Sequence, residues 1–271
     1  MSQTRVFTLK SGVHIHAKLV GNPEKEALLC LSGFGCSHYN FLDLAAELKE
    51  DFFLVLIDNR GLGKSSPVEN EYELEEVALD ALEVMEQLGQ EKFHLAGISM
   101  GGFLAQIIAL KAEEKLLSLS LLCTTSGGSE FIPLPELTEE SLKGFYALEE
   151  PRRTELAVLG TVHPDLPREI FNHICEVRRE HPVAVEQVLK QKRAVDRFLE
   201  RPLRLESIEV KTLVLTGEED RFVNPKNAER LTAQIPHSLF KTIPKCDHYF
   251  FMEKPQEVAL EIKQFIQGVR S

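Results

Sequence analysis

The chain has 271 residues, 43% of them hydrophobic and 27% charged, a composition that excludes low-complexity, collagen-like and disordered classes. Its length suits one large α/β unit or a core with a sizeable insertion. With 31 basic against 42 acidic residues the formal charge is −11, which argues against a mainly electrostatic hold on nucleic acid or anionic lipid.

The amino terminus, "MSQTRVFTLK", carries no long apolar h-region, and no stretch approaches the length of a membrane span. The five cysteines, Cys30, Cys36, Cys123, Cys175 and Cys246, form an odd set without a C-x-x-C pair, which fits a reducing compartment better than a disulfide framework or a zinc knot. The expectation is a cytoplasmic protein without membrane or nucleic-acid partners, a monomer or homodimer acting on a small molecule.

The opening "RVFTLKSGVHIHAKLVGNPEK" alternates in character on either side of Ser11 and Gly12, a β-hairpin signal at a sheet edge. "ALLCLSG" and "FFLVLID" are nearly continuous apolar runs, as expected of parallel strands buried on both faces, and "YNFLDLAAELKE" between them has helical spacing. "EYELEEVALDALEVMEQLG" repeats apolar residues at helical intervals and has Gly89 as a stop. "KFHLAG" then reads as a strand, "FLAQIIALKA" as a helix and "LLSLSLLCT" as a strand, so βα alternation is established by residue 124.

From 125 to 205 no strand is evident, only "TSGGSEFIPLPELT" and helical segments punctuated by prolines. The basic-looking stretch at 175–204 interleaves acids with bases and reads as solvated helix faces. The βα rhythm returns with "KTLVLTGEED", the helix "PKNAERLTAQI", the strand "SLFKTI" and the helix "PQEVALEIKQFIQGV". The expected fold is therefore α/β, a mostly parallel doubly wound sheet built from 1–124 and 206–271, with 125–205 as a helical insertion.

Two glycine clusters stand out. "DNRGLGKS" at 58–65 contains Gly-Lys-Ser but has Asp58 where a phosphate loop requires glycine. "GISMGG" at 97–102 fits G-x-S-x-G at a strand-to-helix junction, where the glycines Gly97, Gly101 and Gly102 allow the close packing that lifts Ser99 clear of the backbone. A serine hydroxyl is a weak nucleophile without a base to take its proton and a carboxylate to orient that base. The chain order Ser, acid, His leaves His237 and His248 as bases. His248 follows the last strand, at the carboxyl edge of the sheet where ligands bind, whereas His237 lies at a helix-to-strand junction. Asp220 follows a strand end on that same edge, with Glu218, Glu219 and Asp247 as competitors. There is no metal-ligand cluster and no G-x-G-x-x-G fingerprint, so no cofactor or metal is expected.

"LSGFG", "DNRGLGKS", "GISMGG", "TGEEDRFV" and "KCDHYFFMEKP", in that order, resemble segments of the α/β-hydrolases, within them the esterase, enol-lactonase and carbon–carbon hydrolase branch. The resemblance covers nearly the whole chain. It implies Asp220 as the acid, since Gly217 opens a G-x-x-D segment, and an oxyanion hole made by the backbone N–H groups of Phe34 and Met100. It also implies a helical cap over the serine, with Phe131, Phe145, Tyr146, Phe171 and Phe198 as wall candidates.

Two residues depart from the family pattern. Ser32 stands where histidine is usual before the oxyanion-loop glycine, and Asp247 precedes the histidine where a small residue is common, so that an inward carboxylate there would raise the histidine pKa. The expected function is hydrolysis of a small carboxylic ester or lactone through an acyl-enzyme on Ser99, with a rate that falls below about pH 6.5. Alternatives are a carbon–carbon hydrolase, a branch that typically has tryptophan where Tyr249 follows the histidine, a cofactor-free perhydrolase, and a non-catalytic receptor on the same fold.

Overall fold

In the computed structural model, which describes residues 2–270, the opening hairpin pairs β1 (Ser2–Thr8) with β2 (His14–Val20) in antiparallel register. There follow β3 (Ala27–Leu31), α1 (Leu42–Leu48), β4 (Phe53–Ile57), α2 (Leu74–Gln87), β5 (Phe93–Ile98), α3 (Met100–Ala112) and β6 (Leu116–Leu122). Four helices come next: α4 (Glu139–Tyr146), α5 (Arg152–Leu159), α6 (Arg168–Arg179) and α7 (Val185–Leu199). The chain closes with β7 (Thr212–Gly217), α8 (Lys226–Gln234), β8 (Ser238–Ile243), α9 (Phe250–Glu253) and α10 (Pro255–Arg270).

The strands form one sheet in the order β1-β2-β4-β3-β5-β6-β7-β8. Only the β1–β2 and β2–β4 pairs are antiparallel. Strand order runs outward from β3 to β4, then returns across β3 to β5, so the β3–β5 boundary is the switch point at which α/β sheets place their ligands. The apolar runs are continuous because each strand serves two faces. On β3, Ala27, Leu29 and Leu31 pack with Phe103 and Leu104 of α3, whereas Leu28 and Cys30 pack with Leu44 of α1 and Ile262 of α10.

The loop after β4 is fixed by buried charge. Asp58 Oδ2 accepts from His16 Nδ1 at 2.9 Å and the Lys64 N–H at 2.9 Å, and its Oδ1 accepts from the His38 N–H at 2.7 Å and His38 Nδ1 at 2.8 Å. Arg60, two residues on, forms a fork with Asp80 of α2 at 2.6 and 2.8 Å. Burial disfavours the charged form of Asp58, but the hydrogen bonds from His16 and His38 override it and hold the carboxyl below the usual carboxylate range.

Asp58→Asn is expected to cost roughly 3 kcal/mol near neutral pH, because charge-assisted bonds to a fully buried group are lost. A depressed carboxyl stabilises the fold above its unfolded value near 3.8, and that stabilisation is lost as the pH falls from there toward the folded value. Denaturant unfolding of native and Asp58→Asn protein should therefore differ clearly at pH 7 and converge in acid.

Candidate active site

Ser99 stands at the carboxyl end of β5, one residue before α3, with φ 54° and ψ −118°. An L-residue is strained there, by about 1–3 kcal/mol. Its N–H donates to the Leu122 carbonyl at 2.8 Å, and its own carbonyl accepts from Thr124 Oγ1 at 2.7 Å. The glycines are sterically required: a Cβ on Gly97 would strike the Gly101 carbonyl, one on Gly101 the Leu31 carbonyl, and one on Gly102 the Thr124 side chain. The strand, turn and helix thus interlock with no room for larger residues.

His248, between β8 and α9, directs Nε2 at Ser99 Oγ across 3.1 Å and Nδ1 at Asp220 Oδ2 across 2.9 Å. Asp220 follows β7, and its other oxygen accepts the N–H groups of Phe222 and Val223 at 2.9 and 2.8 Å. Because the carboxylate can only accept, Nδ1 carries the proton and Nε2 is left to take one from serine. The competing residues lie elsewhere. His237 pairs with Glu209 in solvent, and Glu219 reaches His163. The Asp247 carboxylate turns away from the imidazole to accept from Arg221 Nε at 2.5 Å and from the Arg221 and His248 N–H groups, each at 2.8 Å.

The His248 pKa nevertheless rises, from another source. Burial disfavours the imidazolium, and the Asp220 carboxylate outweighs that effect, so His248 lies well above its ordinary 6.5. The acid limit expected near 6.5 from an unperturbed histidine therefore moves upward. Cys123, read in the sequence only as one of five cysteines, has its Sγ within 4.8 Å of donor atoms of both Asp220 and His248, and burial pushes its pKa up, which keeps it a thiol rather than a rival nucleophile.

In the loop after β3, Gly33 N–H donates to Asn40 Oδ1 at 3.2 Å, Gly35 N–H to Gln191 Oε1 at 2.7 Å, and Cys36 N–H to the Gly33 carbonyl at 3.2 Å. Ser32 Oγ donates to the Ser37 carbonyl at 2.7 Å, so the residue that replaces the family histidine braces the loop itself. The Phe34 N–H has no partner among the described residues, nor has the Met100 N–H at the start of α3. Two unengaged donors flank Ser99, one on each adjoining segment.

Ser99 opens onto two cavities of about 350 Å³ each, separated by Phe34, Leu137 and Phe222. One is walled by Phe103, Phe131, Val195 and Leu199. The other has Phe145, Tyr146, Tyr249 and Phe251, the uncharged polar Asn40, Ser141 and Thr161, and the guanidinium of Arg178. Of the expected aromatic walls, Phe131, Phe145 and Tyr146 face the cavities; Phe171 joins a core cluster, and Phe198 stacks on Phe103 at 4.7 Å.

Reading 175–204 as solvated faces misses Arg178. Its guanidinium donates to Tyr39 Oη at 2.8 Å and Tyr249 Oη at 2.9 Å, and no carboxylate among the described residues pairs with it. Charge alone cannot distinguish it from the exposed Arg179; helical spacing can, because Arg178 falls three, four and seven residues after Cys175, Ile174 and Phe171, on the buried face of α6. Among the described residues no helix is long and apolar enough to cross a membrane.

A family model for the alpha/beta hydrolase fold matches residues 26–159 and 178–255. The chain is 30% identical to 2-hydroxy-6-oxononadienedioate/2-hydroxy-6-oxononatrienedioate hydrolase 2 of Pseudomonas putida, over 98% of this chain and 97% of that one. It is 24% identical to monoacylglycerol lipase ABHD6 of Bos taurus, over 93% of this chain and 78% of that one. Among solved structures it resembles the enol-lactonase of Burkholderia xenovorans LB400, with a TM-score of 0.84, 20% identity and coverage of 97% and 100% of the two chains.

The imidazole of His248, followed by proton NMR against pH, should titrate above 6.5 in the native protein. Asp220→Asn removes the charge that raises it and leaves burial in control, so the midpoint should fall below 6.5. An unchanged midpoint would detach the histidine from Asp220.

Proposed function

Since the chain belongs to the α/β-hydrolase family, we propose that it is a serine hydrolase that cleaves a small carboxylic ester or lactone under a helical cap formed by α4–α7. The observation that carries this reading is the continuous chain from Asp220 through His248 to Ser99, with contacts of 2.9 and 3.1 Å at the carboxyl edge of the sheet. A receptor has no need of all three groups in that geometry.

His248 Nε2 takes the Ser99 proton as Oγ attacks the substrate carbonyl, and the Asp220 carboxylate stabilises the imidazolium that forms. Negative charge gathers on the carbonyl oxygen, where the Phe34 and Met100 N–H groups, already fixed in place, receive it. Collapse expels the alcohol with the proton from His248. Water, deprotonated by the same nitrogen, then releases the acid and restores the serine.

Arg178 narrows the substrate class. A cation held by two phenols, in a cavity that reaches the nucleophile, favours a ligand with a carboxylate at a distance from the scissile bond. The other cavity, with Phe103, Phe131, Val195 and Leu199 on its wall and Glu136, Lys192 and Asp196 also lining it, leaves room for the second half of the substrate. The same arginine favours a second reading, cleavage of an oxo-dicarboxylate of the kind for which the Pseudomonas putida relative is named.

Native protein should hydrolyse p-nitrophenyl esters, and Ser99→Ala should lose at least about 10⁴-fold in kcat. Arg178→Met should lower kcat/KM roughly 30-fold for p-nitrophenyl hydrogen succinate and under about threefold for p-nitrophenyl butyrate, as expected when a charged hydrogen bond to the substrate is removed. Equal losses on the two esters would remove Arg178 from substrate recognition. Turnover of a 2-hydroxy-6-oxo-dienedioate faster than either ester would select the second reading.

A further inference from the structure

Gln191 lies on α7, 92 residues after the candidate nucleophile, and is 1% exposed. A buried amide at that position in the cap is unexpected, because an apolar residue would pack there without a desolvation cost. Its Oε1 accepts the Gly35 N–H at 2.7 Å, a bond that joins the cap to the core across 156 positions of sequence.

The peptide units of this loop are constrained one after another. The unit between Gly33 and Phe34 carries both the Gly33 carbonyl and the Phe34 N–H, which point in opposite directions. Cys36 N–H fixes the carbonyl end at 3.2 Å, and the Asn40 amide fixes the preceding unit through the Gly33 N–H. The following unit ends in the Gly35 N–H, and Gly35, at φ 62°, has no side chain to restrict it. Gln191 is what holds that unit.

We infer that Gln191 is a positioning residue for the oxyanion hole: by fixing the Gly35 N–H it orients the Phe34 N–H toward the charge that develops beside Ser99. This inference rests on the serine-hydrolase reading. It also ties substrate seating to catalysis. Residues of α7 on the same side, Lys192, Val195, Asp196 and Leu199, line the cavity walled by Phe103 and Phe131, so the helix that contacts the acyl or alcohol group is the helix that sets the oxyanion donor. Gln187, one turn earlier, anchors α7 to the loop after β4 through the Val68 N–H and carbonyl, both at 3.1 Å, which gives Gln191 a fixed base from which to act.

The test uses p-nitrophenyl butyrate as substrate and a butyl boronic acid as the probe that forms a tetrahedral anionic adduct with the serine. Gln191→Met, which keeps length but loses the oxygen acceptor, and Gln191→Asn, which keeps the amide but withdraws it by one methylene, should each lower kcat roughly 10- to 100-fold with little change in KM. The boronate inhibition constant should rise by the same factor. Gln191→Glu keeps the acceptor at the same reach but buries a carboxylate beside the oxygen on which negative charge develops, so its kcat should stay below native. Thermal unfolding identifies any variant that fails to fold, and the remaining pair then decides.

Native kcat in Gln191→Met or Gln191→Asn, or a loss confined to KM with unchanged boronate affinity, would overturn the inference and leave the hydrolase reading intact. A native protein with neither ester turnover nor a boronate adduct would overturn both.

Discussion

The backbone of Ser99, held at φ 54° and ψ −118°, is the constraint around which the site is organised. In that conformation the hydroxyl leaves the carboxyl end of β5 while α3 begins at the next residue, so the candidate nucleophile and a helix N-terminus share one turn. The strain persists because its surroundings allow no relaxation: Leu122 and Thr124 hold the two sides of the residue, and Gly97, Gly101 and Gly102 leave no space into which the turn could open. The remaining groups are brought to the serine by other loops. The histidine arrives after β8, the carboxylate after β7 and the candidate oxyanion donor after β3, all on one edge because the central strands are parallel.

Loops that meet in this way need cross-bracing, and most of it is polar and buried. Asp58 ties β2, the loop after β3 and the loop after β4 through His16, His38 and Lys64. Arg221 joins the acid loop to Asp247 beside the histidine and reaches the Val162 carbonyl of the helical segment at 2.8 Å. The Tyr249 N–H donates to the Thr161 carbonyl at 2.8 Å. In low dielectric each of these bonds is strengthened and each unmade partner is costly, so the loops adopt one arrangement rather than several. The segment expected to read the substrate is therefore bonded directly to the loops expected to perform the chemistry.

Much of this was legible in the sequence, for identifiable reasons. Parallel strands buried on both faces appear as unbroken apolar runs, and β3 and β4 are such runs. The serine turn was legible because the glycines that answer its steric demands fall within six consecutive residues, although Leu31 and Thr124, which impose two of those demands, lie far off in the chain. Asp220 and His248 required the rule that strand ends face one edge, together with a family resemblance, because nothing local separates Asp220 from Glu219. The direction of the Asp247 side chain could not be read, since it depends on Arg221, 26 positions earlier in the chain. Arg178 and Gln191 were passed over although helical spacing puts Arg178 on the face of Phe171, Ile174 and Cys175 and Gln191 on that of Val188, Ala194, Val195 and Phe198; what spacing could not give is their partners, which lie at Tyr39, Tyr249 and Gly35 in distant segments. Phe171 and Phe198 were equally good wall candidates by composition and serve packing instead.

The central claim is that Ser99, activated by His248, forms a covalent bond to an acyl carbon or its mimic. Treatment with an alkyl fluorophosphonate, followed by intact-mass measurement and peptide mapping, tests that claim directly and requires no knowledge of the natural substrate. The account predicts one adduct per chain on Ser99, formed at a rate that collapses in His248→Ala. A native protein that takes no label, or takes it elsewhere with Ser99 unmodified, would contradict it.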